Sequence, residues 1–490
     1  MLERPREVFD RVHEWDDLTR FVLDGGPGLR IGTVRGRRRH GKSFLLEHLC
    51  RMTNGVYTLA LRQSRAMALD RFAGQLSDAL GYRLGRFDGW TEALDSAVAA
   101  MARAPASTPP LLVLDEFPYL TAHSPELPSA IQALYDQRGP AKGHPPFKLV
   151  LCGSAISVMS TLLSGDQALR GRAVLDLRVG PFRFRDAAGY WRATPETALL
   201  VDSVLGGAPG YRDVVGDAPD GPDGFYPWLQ RSLLNPSHIL FNEPEYLLAE
   251  DPRVGDRTIY YAIWDAVSSG ATTPTQIGAV IGMDAKGLTY HLGIMRDAQF
   301  IRYDQDLLLQ RRPVITVADP AVRFHNLVVR PNLAELEMRE ASAAWERSRH
   351  TFSAKILGPH FEELAREWVR WYGREAGLDD IGPVGTTVVP CREHRGHEID
   401  VIALDRTSLA QSRAGRITLL GEAKATTSPR GAIDLRRLEH VRDLLVAQGW
   451  KAADCAFAIF SRTGFHPDVQ SLAAPGRVIL VDLSTLYGAC

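Results

Sequence analysis

Between residues 29 and 179, short apolar runs alternate with stretches whose apolar positions recur every three or four residues. The runs are LRIGTV (29–34), GVYTLAL (55–61), LLVLDE (111–116), FKLVLCGS (147–154) and AVLDLRV (173–179). Three are nearly unbroken, the pattern of strands buried on both faces. The intervening ALDRFAGQLSDAL and WTEALDSAVAAMARA carry helical spacing. This alternation predicts a parallel sheet flanked by helices over residues 1–182.

The pattern then changes. Residues 183–254 read as a helical lid or connector, broken by GGAPGY (206–211) and the Pro/Asp/Gly-rich GDAPDGPDGFYP (216–227). Residues 255–330 hold three short helical patterns followed by β-rich sequence, which predicts a winged helix. A charged linker helix containing ELEMREASAAWERS is expected over 331–352, and a further α/β domain over 353–490. The expected fold class is therefore α/β multidomain, and a chain of 490 residues has room for two to four cores.

Composition narrows the classes. With 45% hydrophobic and 23% charged residues, the chain reads as soluble and globular. It holds no apolar run near the roughly 18 residues of a membrane span, and its charged start predicts a cytoplasmic location. Net charge is −1, which gives no global pull toward nucleic acid. Five widely spaced cysteines suggest neither a disulfide framework nor a zinc site. Arginine outnumbers lysine 50 to 7, so each lysine stands out.

Lys42 lies in GRRRHGKS, where Gly36, Gly41, Lys42 and Ser43 fit the phosphate-binding pattern G-x-x-x-x-G-K-[ST]. The glycines let backbone N–H groups surround phosphate oxygens, and the following helix directs its positive end at the same anion. The expected nucleotide-binding segment is Gly36, Arg37, Arg38, Arg39, His40, Gly41, Lys42, Ser43 and Phe44. Arg37, Arg38 and Arg39 fill the variable positions of an arginine-rich chain and need no separate explanation. Lys42 is expected to reach the β and γ phosphates, and Ser43 to ligate Mg²⁺. Further on, Asp115 and Glu116 end an apolar strand. There Asp115 would hold the magnesium shell and Glu116 would orient or deprotonate the attacking water. Ser154 reads equally well as a γ-phosphate sensor or a turn serine. Arg170 and Arg172, in LRGR, are candidate arginine fingers or ordinary paired arginines.

Together, GRRRHGKS, LLVLDEFPYL, LCGSAISVM, LRGR and GGAPGY resemble the prokaryotic DEXX-box or archaeal-type ATPases, in the AAA-like and STAND branch of phosphate-loop NTPases. The resemblance implies ATP as ligand and an ASCE-type sheet. The opening VFDRVHEWDDL looks like that family's leader, which implies that Arg11 helps seat the adenine; from the residues alone, Asp10 and Arg11 read equally as helix caps. His40 departs from the small apolar residue usual at its position.

In the last domain Asp400 interrupts HEIDVIAL, while Glu422 and Lys424, two apart on one strand face, interrupt LLGEAKA. With Glu362 from the preceding helix they resemble the E…D…E-x-K set of PD-(D/E)xK, or restriction-endonuclease-like, nucleases. That resemblance implies that Glu362, Asp400 and Glu422 hold Mg²⁺ while Lys424 activates water. Spacing alone is weak, since DAK at 284–286 repeats the triplet at a predicted helix start. A buried ion pair in an inactive scaffold fits the same residues. Residues 351–490 balance 17 basic against 17 acidic side chains, and 255–325 balance 7 against 7. Lys286, His291 and Arg296 could face phosphates, or could pack between domains. Two functions follow. One is an ATPase directing a nuclease-like effector to DNA, and the other is a STAND-like switch, assembling as a homo-oligomer, with a silent C-terminal module.

Overall fold

The computed structural model describes residues 2–103, 108–165, 167–311, 313–391 and 396–489. It divides into two compact units, Met1–Phe182 with Ala208–Asp213 and Tyr246–Gly255, and Arg183–Gly207 with Val214–Glu245 and Asp256–Cys490. The region read as a lid is thus shared, two short returns from it belonging to the first unit.

The first unit is built on five strands: β1 (Leu29–Arg35), β2 (Val56–Leu59), β3 (Leu111–Asp115), β4 (Phe147–Gly153) and β5 (Ala173–Arg178). They pair in the order β2-β3-β4-β1-β5, every pairing parallel. Alternation along the unbroken runs serves two cores. Leu112, Leu114, Leu149 and Leu151 join Leu69, Phe72, Trp90 and Ile131 from helices Arg65–Leu80, Trp90–Met101 and Leu127–Arg138. Leu111, Val113, Val150 and Cys152 join Trp15, Leu18, Leu45 and Leu49 from helices Val12–Leu23 and Lys42–Thr53. Apolar residues on both faces are what a strand covered by helices on both sides requires. One strand, β4, separates the loop-bearing β1 from the acid-bearing β3.

In the second unit, helices Arg257–Ser269, Pro274–Ile281 and Leu288–Asp297 precede the antiparallel pair β6 (Ile301–Asp304) and β7 (Val314–Val317). Side-chain caps mark two of the starts: Asp256 accepts from the Thr258 N–H at 2.9 Å, and Thr273 from that of Gln276 at 3.3 Å. Helix Ala341–Thr351 passes through a π-helical turn, Phe352–Leu357, into helix Gly358–Tyr372. The residues read as one linker helix form two, Leu333–Glu337 and Ala341–Thr351, and only the second runs unbroken into the C-terminal α/β region. Pro359 has no N–H for residue 355, and the widened turn absorbs the missing bond.

The C-terminal sheet contains β8 (Val384–Val389), β9 (His397–Leu404), β10 (Ile417–Lys424), β11 (Ala456–Ser461) and β12 (Val478–Val481), in the order β12-β11-β10-β9-β8. The β8, β9 and β10 pairings are antiparallel and the β10, β11 and β12 pairings parallel. Helix Ala432–Ala447 contributes Leu435, Leu438, Val441 and Leu445 to a core with Ile402, Leu420 and Ile459. Trp368 of helix Gly358–Tyr372 meets Phe460 edge-on at 5.6 Å. Among the described residues, no helix is long and apolar enough to cross a membrane. Cys50, Cys152, Cys391 and Cys455 are free thiols; Cys490 lies outside the described residues.

Candidate functional site

Parallel pairing places the carboxyl ends of β1, β3 and β4 along one sheet edge, where ligands of open α/β sheets bind. The loop after β1 ends at Gly41, whose φ of 84° lies in the left-handed region, and helix Lys42–Thr53 begins at the next residue. At Gly36 a Cβ would lie 2.1 Å from the Val179 carbonyl oxygen, so only glycine lets the loop pass there. Lys42 is buried and donates Nζ to the Arg37 carbonyl at 3.1 Å, curling back over its own loop.

The motifs from β1, β3 and β4 meet. Ser43 Oγ donates to Asp115 Oδ2 at 2.6 Å, and the Glu116 N–H donates to Asp115 Oδ1 at 2.8 Å. Ser154 Oγ donates to Glu116 Oε2 at 3.1 Å. Asp115 is fully buried, and the hydroxyl and N–H groups named above donate to it. Burial, and secondarily Asp115, raises the Glu116 pKa, while Lys42 opposes the shift. A hydroxyl and a carboxylate 2.6 Å apart, at a helix N-terminus, form a donor set that suits Mg²⁺.

Sequence reasoning missed Tyr57, whose hydroxyl also donates to Asp115 Oδ2, at 2.5 Å. The signal lies in register: Tyr57 pairs with Val113, two residues before Asp115 and on the same face. Also missed was Glu250, which pairs with Arg38 at 3.5 Å. Burial raises its pKa to about 7 against the pull of Arg38. It comes from one of the short returns, which no local pattern could assign to the loop.

Arg11 sits beneath the loop. Its guanidinium donates to the carbonyls of His40 at 3.0 Å and Gly180 at 2.7 Å, pairs with Glu14 at 2.9 Å, and covers the Phe182 ring at 4.5 Å. It has φ 53° and precedes helix Val12–Leu23 without a side-chain capping bond. His40 is buried, with Nδ1 3.2 Å from the Val179 carbonyl. Burial, reinforced by Arg37 and Lys42, holds its pKa well below the usual value, so the ring is neutral and Nδ1 donates. A histidine thus fits the position by spending its polar atom on the next strand's end. The GGAPGY segment also reaches the loop: the Gly210 N–H donates to the Arg39 carbonyl at 2.9 Å, and Arg39 lies over Tyr211 at 5.2 Å. Arg38 and Phe44 are exposed.

Other predicted residues lie elsewhere. Arg170 donates to the Gly165 carbonyl at 2.7 Å, and Arg172 to Asp136 at 3.1 Å, so neither is engaged at the loop. Lys286 is exposed in the turn before helix Leu288–Asp297, not on it. His291 packs edge-on against Tyr260 at 5.3 Å, and Arg296 is exposed.

The C-terminal residues also converge. Lys424 Nζ contacts Asp400 Oδ2 at 2.8 Å and Glu422 Oε1 at 2.9 Å. Asp400 Oδ2 also accepts the Ala423 N–H at 3.0 Å, and Arg437 pairs with Glu422. Glu362 joins electrostatically: burial, then Asp400, raises its pKa to about 7 against Arg366 and Lys424. Burial and Asp400 raise the pKa of Glu422 too. Glu422 Oε2 is buried and has no hydrogen-bond partner among the described residues. Such an oxygen suits a divalent cation. Arg437, from helix Ala432–Ala447, was not read from the sequence because its partner lies on β10.

Fold and site define a parallel α/β unit with a glycine-lysine loop facing a buried carboxylate. No family model matches the chain. It is 24% identical over 380 residues to an uncharacterised protein of Methanocaldococcus jannaschii, covering 76% of this chain and 79% of that protein. It is similar to the solved structure of a Walker-type ATPase of Pyrococcus abyssi, at 18% identity and TM-score 0.47, covering 66% of this chain and 98% of that one. It is likewise similar to the ORC2 protein of Aeropyrum pernix in its ADPNP–ADP complexes, at 13% identity and TM-score 0.43, covering 70% and 96%.

Proposed function

We propose that this protein binds and hydrolyses ATP with Mg²⁺ and uses its nucleotide state to direct a PD-(D/E)xK-like effector to DNA. The observation that carries the ATPase reading is the 2.6 Å contact between Ser43 and Asp115, which joins two motifs far apart in the chain. Bound Mg²⁺ would neutralise phosphate charge, with Ser43 and Asp115 as its holders. Backbone N–H groups of residues 36–41 and the start of helix Lys42–Thr53 bind the phosphates. Lys42 moves from the Arg37 carbonyl to the phosphates, Glu116 takes the proton of the attacking water, and Ser154 holds Glu116 in place. Arg11 fixes the loop through the His40 carbonyl. The exposed Arg170 is the better candidate finger, because Arg172 is tied to Asp136.

The effector reading rests on the convergence of Asp400, Glu422 and Lys424, with Glu362 in their field. The three carboxylates would hold the cation, and Lys424 would position the water. DNA would approach this region and the helix Leu288–Asp297. A second reading, a STAND-like assembly switch with a silent C-terminal module, is favoured by the pairing of Glu422 with both Lys424 and Arg437, which balances the cluster without a metal. One experiment tests both. Purified protein is assayed for ATP hydrolysis and for cleavage of several DNA forms beside Lys42→Ala and Lys424→Ala. Lys42→Ala should abolish hydrolysis, and Lys424→Ala should abolish cleavage while sparing hydrolysis. Absence of cleavage with nucleotide-dependent oligomerisation selects the second reading, and full ATPase activity in Lys42→Ala refutes both.

A further inference from the structure

Cys391, His397 and His440 bring one sulfur and two imidazoles together in the second unit. One ligand atom from each can be chosen so that all three lie within 4.8 Å of one another. They come from three separate places: Cys391 follows β8, His397 opens β9, and His440 stands on helix Ala432–Ala447. Two further contacts hold these segments together. The His397 and His440 rings meet edge to face at 5.3 Å. Gln448, at the end of the helix, donates Nε2 to the carbonyl of Pro390 at 3.0 Å. Cys50, Cys152 and Cys455 are buried, whereas Cys391 is partly exposed and His440 exposed. Solvent ions therefore reach this cluster.

We infer that Cys391, His397 and His440 bind a divalent transition metal of the zinc class. A thiolate with two imidazoles is a borderline-soft donor set, which selects zinc-like ions and rejects the oxygen-seeking Mg²⁺ and Ca²⁺. Bonds of zinc length in tetrahedral geometry place donor atoms roughly 3.3–3.8 Å apart. Separations within 4.8 Å leave a closure of about 1–1.5 Å at most for side-chain rotation to supply, with His397 on a strand and His440 on a helix. Three protein donors leave one position for water or another donor. Binding displaces the thiol proton, so affinity rises with pH. The cysteine count pointed away from a metal because the partners of Cys391 are histidines, one of them on a helix that only the fold brings near.

The site would brace its neighbour. Arg437 lies one helical turn before His440, donates to the Glu398 carbonyl at 2.9 Å and pairs with Glu422. A metal joining His440 to His397 fixes this helix against the strand that carries Asp400. That positioning role rests on the effector reading, whereas the metal site itself does not.

The test uses the full chain, stripped with a chelator and titrated with Zn²⁺ against a chromophoric competitor, then with Co²⁺ followed by absorption. One equivalent is expected, with the intense visible bands of tetrahedral Co²⁺ and a thiolate charge-transfer band. Cys391→Ser should remove the charge-transfer band, and both it and His440→Ala should weaken Zn²⁺ at least tenfold. His440 is exposed, so its variant keeps the fold, as an unchanged circular dichroism spectrum would verify. Unchanged tight binding in both variants places the metal elsewhere and overturns the proposal, as does the absence of tight Zn²⁺ binding by the wild type. The effector reading fails separately, on Lys424→Ala.

Discussion

Replacing Glu116 by glutamine should separate hydrolysis from nucleotide binding. Glu116 Oε2 accepts the Ser154 hydroxyl at 3.1 Å, and the Glu116 N–H is held by Asp115. Glutamine keeps the side-chain length, and its amide oxygen keeps the Ser154 bond. It removes a charge that burial and Asp115 make unfavourable, so stability should stay within about 0.5 kcal/mol of wild type or rise. The left-handed φ of 52° at this position constrains both residues alike. What is lost is the proton acceptor, a group whose removal slows reactions by about 10²–10⁴-fold. At about 1.36 kcal/mol per decade this raises the barrier by about 2.7–5.4 kcal/mol. Phosphate release at saturating ATP measures kcat, and titration with a fluorescent ATP analogue measures affinity. The kcat should fall at least about 100-fold, while affinity stays within about threefold, as for a group that acts only in the transition state. The wild-type rate should rise with pH through a pKa above the usual carboxylate range, and the variant should lack that limb. A kcat within tenfold of wild type, or an equal loss of affinity, would refute the role given to Glu116.

Three further outcomes are expected. Gly36→Ala forces the Val179 carbonyl aside and should cost about 1–3 kcal/mol; a Tm and nucleotide affinity equal to wild type would contradict the close approach. His40 is neutral in the folded chain because its pKa is depressed, so its contribution is complete above about pH 6.5 and falls as the unfolded chain takes up a proton below it. The difference in urea stability between wild type and His40→Gln should therefore shrink on acidification, by up to about 1.4 kcal/mol per pH unit; a constant difference would show that the ring does not titrate this way. Glu362 ionises near pH 7, so Mn²⁺ binding at the C-terminal cluster should strengthen as pH rises through 7; Glu362→Gln should flatten that rise, and an unaltered profile would exclude Glu362 as a ligand.

The sheet of the first unit was legible because burial on both faces leaves unbroken apolar runs, and its loop because glycine and lysine at fixed spacing have few other uses. Strand order was not, since parallel neighbours are chosen by crossovers that leave no local pattern. Tyr57 shows the consequence: its role depends on pairing with Val113 in β3. Glu250, and the contact of the GGAPGY segment with the loop, were hidden for the same reason, since both reach the loop only when the chain returns. In the C-terminal region, charged residues inside apolar strands exposed Asp400, Glu422 and Lys424. Arg437, one of 50 arginines, carried no signal of its own.

The two carboxylate centres meet the same electrostatic demand differently, and this gives Arg437→Ala a definite sign. Asp115 is held by two hydroxyls and an N–H, and Lys42 rests on a carbonyl, so the loop keeps its cation uncommitted for an incoming anion. Glu422 is instead paired with Lys424 and Arg437, while its Oε2 has no hydrogen-bond partner among the described residues. A divalent cation there must compete with two cations already present. Removing Arg437 deletes one competitor and should tighten Mn²⁺ binding, even though breaking the pair costs folding stability. Titration in an Asp115→Asn, Cys391→Ser background, which removes a metal donor from each of the other two centres, isolates the effect. Tighter Mn²⁺ binding with a lower Tm is the expected pair of results. Weaker binding would mean that Arg437 organises the carboxylates, and the reasoning from competition would be wrong.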